Sequence, residues 1–163
     1  MNIEDVTPTI EIELIRNNSK VPERAYPTDA GMDLFSTQNV TIEPLTREAV
    51  ETGIVFHVPI GYVGRILPKS GLAIKSGIII GAGVIDPNYT GEILVCMINT
   101  DRDYEFKVKE GMKIAQLVIQ PILLPNLFVT RRNKDGTKSG GRLYEIKETP
   151  TIRGNNGFGS SGK

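Results

Sequence analysis

The sequence predicts an all-β domain of barrel or jelly-roll type. Short apolar or alternating runs, many of them β-branched, recur at close spacing, and 17 glycines and 10 prolines punctuate them. No run keeps helical spacing beyond two turns, and nothing alternates strand with helix as a βαβ protein does.

Taken in order, Ile10, Ile12 and Leu14 share one face of an extended segment. Further strands are expected over Ile54 to Val58, Tyr62 to Leu67, Ile78 to Ile80, Tyr104 to Val108 and Ile114 to Ile119. Leu72-Ala73-Ile74-Lys75 is the one plausible helical turn. The run Ile93 to Ile98 is apolar on both faces, so it belongs at the centre of a sheet or between subunits. Arg131 to Arg142, rich in Lys, Arg, Gly and Ser, reads as a solvated hairpin or loop. The end, Arg153-Gly154-Asn155-Asn156-Gly157-Phe158-Gly159-Ser160-Ser161-Gly162-Lys163, is too poor in apolar residues to build a core. We therefore expect one domain over residues 1–152 and a mobile arm over 153–163 that orders on a ligand. In that arm Arg153 offers a forked donor for phosphate, Phe158 a ring for stacking on a base, and the Gly/Ser run backbone amides for an anion.

The bulk numbers exclude several functions. With 163 residues the chain can bury roughly 70% of its unfolded surface. Nineteen cations balance nineteen anions, so no global basic bias favours nucleic acid. One Cys and one His leave no intrachain disulfide, no Cys/His zinc site and little room for a histidine triad. Cys96 reads as core, and His57, before Pro59, as structural. No apolar run approaches the ~20 residues of a membrane span, and Met1 to Asp5 is unlike a signal peptide; cytosol or nucleus is the expectation.

Two nucleotide motifs fail on inspection. Gly64 with Lys69-Ser70 lacks the glycine before the lysine and the long helix of a phosphate loop. Gly81-Ala82-Gly83 lacks the third glycine and the strand–helix setting of a dinucleotide fold. What remains is a dispersed set. Ala30-Gly31-Met32-Asp33-Leu34 sets a carboxylate just after a glycine turn. Gly64 to Ala73 joins a strand to a short turn with the Ser70 and Gly71 amides at its start. Gly81 to Glu92 looks like a hairpin presenting Asp86 and Tyr89, and Gly111 to Leu117 places the Gln116 amide inside an apolar strand. Each patch alone has an ordinary structural explanation as turn, cap, hairpin or core residue.

Together with the arm, and in this order, these patches closely resemble the five motifs of the trimeric dUTP nucleotidohydrolases (dUTPases), from Ala30 to Gly162. The resemblance implies a distorted jelly-roll subunit, a homotrimer with shared sites, and Mg²⁺-assisted hydrolysis of dUTP to dUMP and pyrophosphate. That reaction lowers dUTP and supplies dUMP for thymidylate synthesis. It implies Asp33 as the carboxylate that helps hold Mg²⁺ through water, and Lys69, Ser70 and Gly71 as the phosphate-contacting turn. The hairpin from Gly83 to Leu94 would receive uracil through main-chain groups. Asp86 would position the attacking water, Tyr89 would pack under the deoxyribose, and Gln116 would lie by the α-phosphate. Arg153, Phe158, Gly159, Ser160 and Ser161 would close over the nucleotide. Lys69 stands where the family usually has Arg, Asn156 where it has Gly, and Ser161 where Thr is common. The Arg131–Arg142 stretch lengthens the approach to the arm. Two other readings stay open: a dCTP deaminase of the same architecture, and a nucleotide-sensing regulatory protein on this fold.

Overall fold

The structure, a computed structural model, describes residues 9–145. In chain order its strands are β1 (Ile12–Leu14), β2 (Met32–Phe35), β3 (Val40–Ile42), β4 (Arg47–Phe56) and β5 (Tyr62–Leu67). After the one helix among the described residues, α1 (Ser70–Ser76), come β6 (Ile78–Gly81), β7 (Val84–Ile85), β8 (Glu92–Asn99) and β9 (Phe106–Val108). The last are β10 (Lys113–Pro121), β11 (Leu127–Arg132) and β12 (Lys138–Tyr144). One sheet runs β1-β4-β8-β6 and the other β2-β10-β5-β7, while β3–β9 and β11–β12 form two-stranded ribbons. The pairings are antiparallel, as an all-β jelly-roll requires.

Both sheets feed one apolar cluster. Ile54, Phe56, Ile93, Val95 and Met97 enter it from the first, and Leu34, Ile66, Ile114 and Leu117 from the second. Strand β8 does lie between two neighbours, as its composition predicts. Its alternation sends Ile93, Val95, Met97 and Asn99 inward and leaves Leu94, Cys96 and Ile98 half-buried on the outer face. Cys96 is therefore not a core residue, contrary to its sequence reading: the two-residue period of the strand turns it away.

The strands β2, β3 and the first half of β4 carry no strand signature of their own: β2 is short and interrupted by the buried Asp33, β3 spans three residues, and Arg47, Glu48 and Ala49 at the start of β4 are all exposed. Within β4, Glu51 pairs with Leu94 but Val55 pairs with Glu92, so residues 52–54 bulge against Ile93 alone. The bulge needs Gly53, whose φ is 68° and where a Cβ would stand 2.1 Å from Ser19 Oγ. Ser19 Oγ donates to Gly53 O, and Gly53 N–H donates to Glu92 Oε1 at 2.8 Å. Arg16 grips the same Glu92 with both guanidinium arms, one of them at 2.9 Å. These contacts anchor the start of β8, and with it the turn that precedes it.

The basic stretch is a hairpin, as the alternative readings for it included. β11 and β12 are exposed along their whole length, around a turn in which Gly136 N–H donates to Asn133 O. Among the described residues no helix is long and apolar enough to cross a membrane.

Candidate active site

Asp33, Gln116 and Lys113 come together through a register shift. Gln116 of β10 lies opposite Asp33 of β2, and side chains directly opposite share a face. Lys113, three residues earlier, should point to the other face of a regular strand. The irregularity between Lys113 and Ala115 instead sets Lys113 opposite Phe35, two positions from Asp33 and on the same side. Lys113 Nζ reaches Asp33 Oδ2 at 2.9 Å and Glu23 Oε1 at 3.2 Å. Lys69 Nζ pairs with the other Asp33 oxygen. Burial alone would push the Asp33 carboxyl up, but the two lysines outweigh it and hold it below the usual carboxylate range. Lys113 is raised in turn by its bonds to Asp33 and Glu23.

Gln116 Nε2 donates to Pro68 O at 2.9 Å, tying β10 to the turn after β5. A Cβ at Gly31 would come within 2.4 Å of Gln116 Oε1, so the glycine of the first motif makes room for the amide of the fourth. Lys69, Ser70, Gly71 and Gln116 then line one open pocket of about 380 Å³, together with Leu72, Lys75, Ser76 and Lys113. Asp33 is buried behind its two lysines. The helix α1 begins after Lys69 and stops where Gly77, at φ 61°, turns its N–H back to Leu72 O. The first amides of such a helix have no intrahelical acceptor.

The segment expected as a hairpin is instead a loop that crosses between sheets. β7 pairs with the far side of β5, while β8 pairs with β4 and β6 in the other sheet, because the turn at Asp86–Tyr89 carries the chain from one sheet to the other. Gly64 and Arg65 pair with Ile85 and Val84, and Ile66 N–H donates to Gly83 O at 2.8 Å. Only glycine fits at 83, since a Cβ there would sit 2.3 Å from Ile66 O. Asp86 and Tyr89 bracket a turn in which Tyr89 N–H donates to Asp86 O at 3.3 Å, with Asn88 in the left-handed region at φ 61°. The Tyr89 hydroxyl donates to Glu92 O, and its ring lies so close over Gly91 that a Cβ would be 2.4 Å from the hydroxyl oxygen. The strand β5 thus links the turn that carries Asp86 and Tyr89 to the turn that carries Lys69. Leu94 follows on the half-buried outer face of β8.

Sequence reasoning missed Lys113 and Lys75 as pocket residues. Lys113 stood inside a quoted motif, but only the bulge brings it to the face of Asp33. Arg153, Phe158, Gly159, Ser160 and Ser161 lie outside the described residues.

A dUTPase family model matches residues 17–162. The chain belongs to the dUTPase family. Deoxyuridine 5'-triphosphate nucleotidohydrolase of Corynebacterium jeikeium is 41% identical over 145 residues, covering 87% of this chain and 85% of that protein. The Saccharomyces cerevisiae protein of the same name is 38% identical, with 94% of each chain covered. Among solved structures, a variant of Staphylococcus bacteriophage 80alpha dUTPase with dUpNHpp superposes with TM-score 0.71 at 30% identity. That match covers 96% of this chain and 100% of the phage chain. A variant dUTPase from phage phi11 of S. aureus, in which a structural Mg(II) ion is coordinated, superposes with TM-score 0.70 at 32% identity. It covers 74% of this chain and 95% of its own. The jelly-roll fold expected from the family motifs is the fold observed.

Proposed function

We infer that this protein hydrolyses dUTP to dUMP and pyrophosphate. The carrying observation is the pocket that joins Lys69, Ser70, Gly71 and Gln116 in a chain of the dUTPase family. Three ammonium groups, those of Lys69, Lys75 and Lys113, border that pocket, a setting suited to a polyphosphate. At Gly71 a Cβ would meet nothing within 4 Å, so the space beside this backbone is open to a ligand.

In the reaction, water attacks the α-phosphorus as the Asp86 carboxylate takes its proton, and the bond to the β-phosphate oxygen breaks. The Gly83–Leu94 main chain reads the uracil edge, and a wrong base would leave those amide groups unpaired. Tyr89 packs under the deoxyribose and leaves no space for a 2′-hydroxyl. Gln116 orients the α-phosphate, while Lys69 and the Ser70 and Gly71 amides take the phosphates beyond it. Arg153 and the Phe158–Ser161 arm close over the nucleotide and exclude water.

No cluster of three acidic, His or Cys side chains suited to a metal occurs among the described residues. Asp33, with both oxygens on lysines, fits an ion that arrives on the triphosphate and meets the carboxylate through water, which is how Mg²⁺ is commonly held. Bound in that way, Mg²⁺ would offset charge on the departing pyrophosphate. We assign the homotrimer and its shared sites to this chain as well. The half-buried face of Leu94, Cys96 and Ile98, and the exposed Leu123, Leu124 and Phe128, support contacts with further copies. A cytosolic or nuclear site of action fits that reading.

The test is Asp86→Asn. It should keep the fold and bind dUTP normally, yet lower turnover by roughly two orders of magnitude or more, as loss of a general base does. Near-normal pyrophosphate release by this variant would remove Asp86 from the mechanism.

A further inference from the structure

Lys113 adds charge to the border of the proposed phosphate pocket, but no direct contact in the proposed reaction falls to it. Its ammonium lies between Asp33 Oδ2 and Glu23 Oε1, and 5.6 Å from the centre of the Phe35 ring. Asp33 has a second cationic partner in Lys69, so two lysines share one carboxylate whose side chain is only 9% exposed. Lys69 is also the pocket cation nearest in sequence to the Ser70 and Gly71 amides. If Lys69 turns to a phosphate, Lys113 is the side-chain cation that stays on Asp33, with or without a metal ion on the nucleotide. A buried carboxylate left without a cation would stand uncompensated behind a pocket that receives a polyphosphate of the same sign.

We propose that Lys113 is a positioning residue that holds and neutralises Asp33 while Lys69 is handed to the triphosphate. The proposal rests on the phosphate pocket read above and adds a division of labour between its lysines. One cation moves to the ligand; the other stays on the carboxylate. The Lys113–Ala115 bulge is the local feature that makes this possible, since it brings Lys113 to the face of Asp33.

The experiment measures binding of non-hydrolysable α,β-imido-dUTP to the full chain by calorimetry in EDTA, so that turnover and metal play no part. Lys113→Gln should weaken binding roughly tenfold, about 1.4 kcal/mol. Lys113→Arg, which keeps the charge, should stay within about threefold of wild type, and thermal melts of both variants check folding. The decisive arm is a double-mutant cycle with Asp33→Asn. Without the carboxylate charge there is nothing left to neutralise, so Asp33→Asn/Lys113→Gln should bind within about threefold of Asp33→Asn alone. A tenfold loss that persists in the Asp33→Asn background would mean that Lys113 contacts the phosphates itself and would overturn the proposal. Wild-type affinity in Lys113→Gln overturns it too. Lys69→Ala separates the two levels. If it loses affinity while Lys113→Gln does not, only the division of labour fails; if neither loses affinity, the pocket reading falls with it.

Discussion

At Gly83 the chain has no room for a methyl group, because the backbones of Gly83 and Ile66 are locked by the 2.8 Å bond from Ile66 N–H. Gly71, one strand away in sequence, has open space instead. The two glycines therefore differ in setting, one holding its loop tight against β5 and the other leaving open space beside its backbone. Gly83→Ala should lower stability by roughly 1–3 kcal/mol, the usual cost of forcing an extra carbon into a filled place. It should also raise KM for dUTP as the loop from Gly83 to Tyr89 shifts. Gly71→Ala should leave the urea midpoint unchanged within error, and any loss it shows should appear in nucleotide binding. Equal melting behaviour of the two variants would contradict this assignment.

At the scale of elements, the loop from β8 to β9 shows how polar contacts hold a turn. Asn99 is buried, and its side-chain amide donates to Ile42 O at 3.0 Å and to Tyr104 O at 2.9 Å. Its Oδ1 accepts from Asp101 N–H, and Asp101 Oδ1 accepts from the N–H groups of Asp103 and Tyr104. Those two amide bonds hold the Asp101 carboxyl below its usual value of 3.8. A carboxyl depressed in the folded chain stabilises it above the unfolded pKa, and that contribution is lost as pH falls through the folded pKa. Wild type should therefore hold a higher urea midpoint than Asp101→Asn at pH 6, and the gap should shrink as pH drops below about 4. A gap that is the same at pH 6 and pH 3 would show that the carboxylate charge is not involved.

For the whole molecule, the proposed shared site makes a prediction that one chain alone cannot satisfy. Chains with Asp86→Asn keep the arm but lack the base; chains ending before Arg153 keep the base but lack the arm. Each homo-oligomer should be nearly inactive. Co-refolded mixtures should recover a fraction of wild-type pyrophosphate release, since some sites would take Asp86 from one chain and Arg153 with Phe158 from another. Mass measurement establishes that mixed oligomers form. If they form and no activity returns, the arm serves its own chain's site.

The sequence by itself determined the all-β class, because β-branched alternation and Gly/Pro punctuation are local properties that tertiary contacts rarely reverse. It placed Tyr62–Leu67, Ile78–Ile80 and Ile93–Ile98 as strands and Leu72–Lys75 inside the one described helix, since in each the side chains themselves demand the conformation. The family motifs, carried by residue identity and order, brought out Asp33, Lys69, Asp86, Tyr89 and Gln116 before any geometry. Strands such as β2 and β3 stayed hidden because each is stabilised by pairing with a partner distant in sequence and not by its own pattern. Cys96 and Lys113 mark the same boundary. Which way each points depends on register, and register is set by bulges and partners that a run of residues does not reveal. Only the folded sheet decides that Asp33 has two lysines on it. Charge pairing across β2 and β10 exists only once those strands lie side by side.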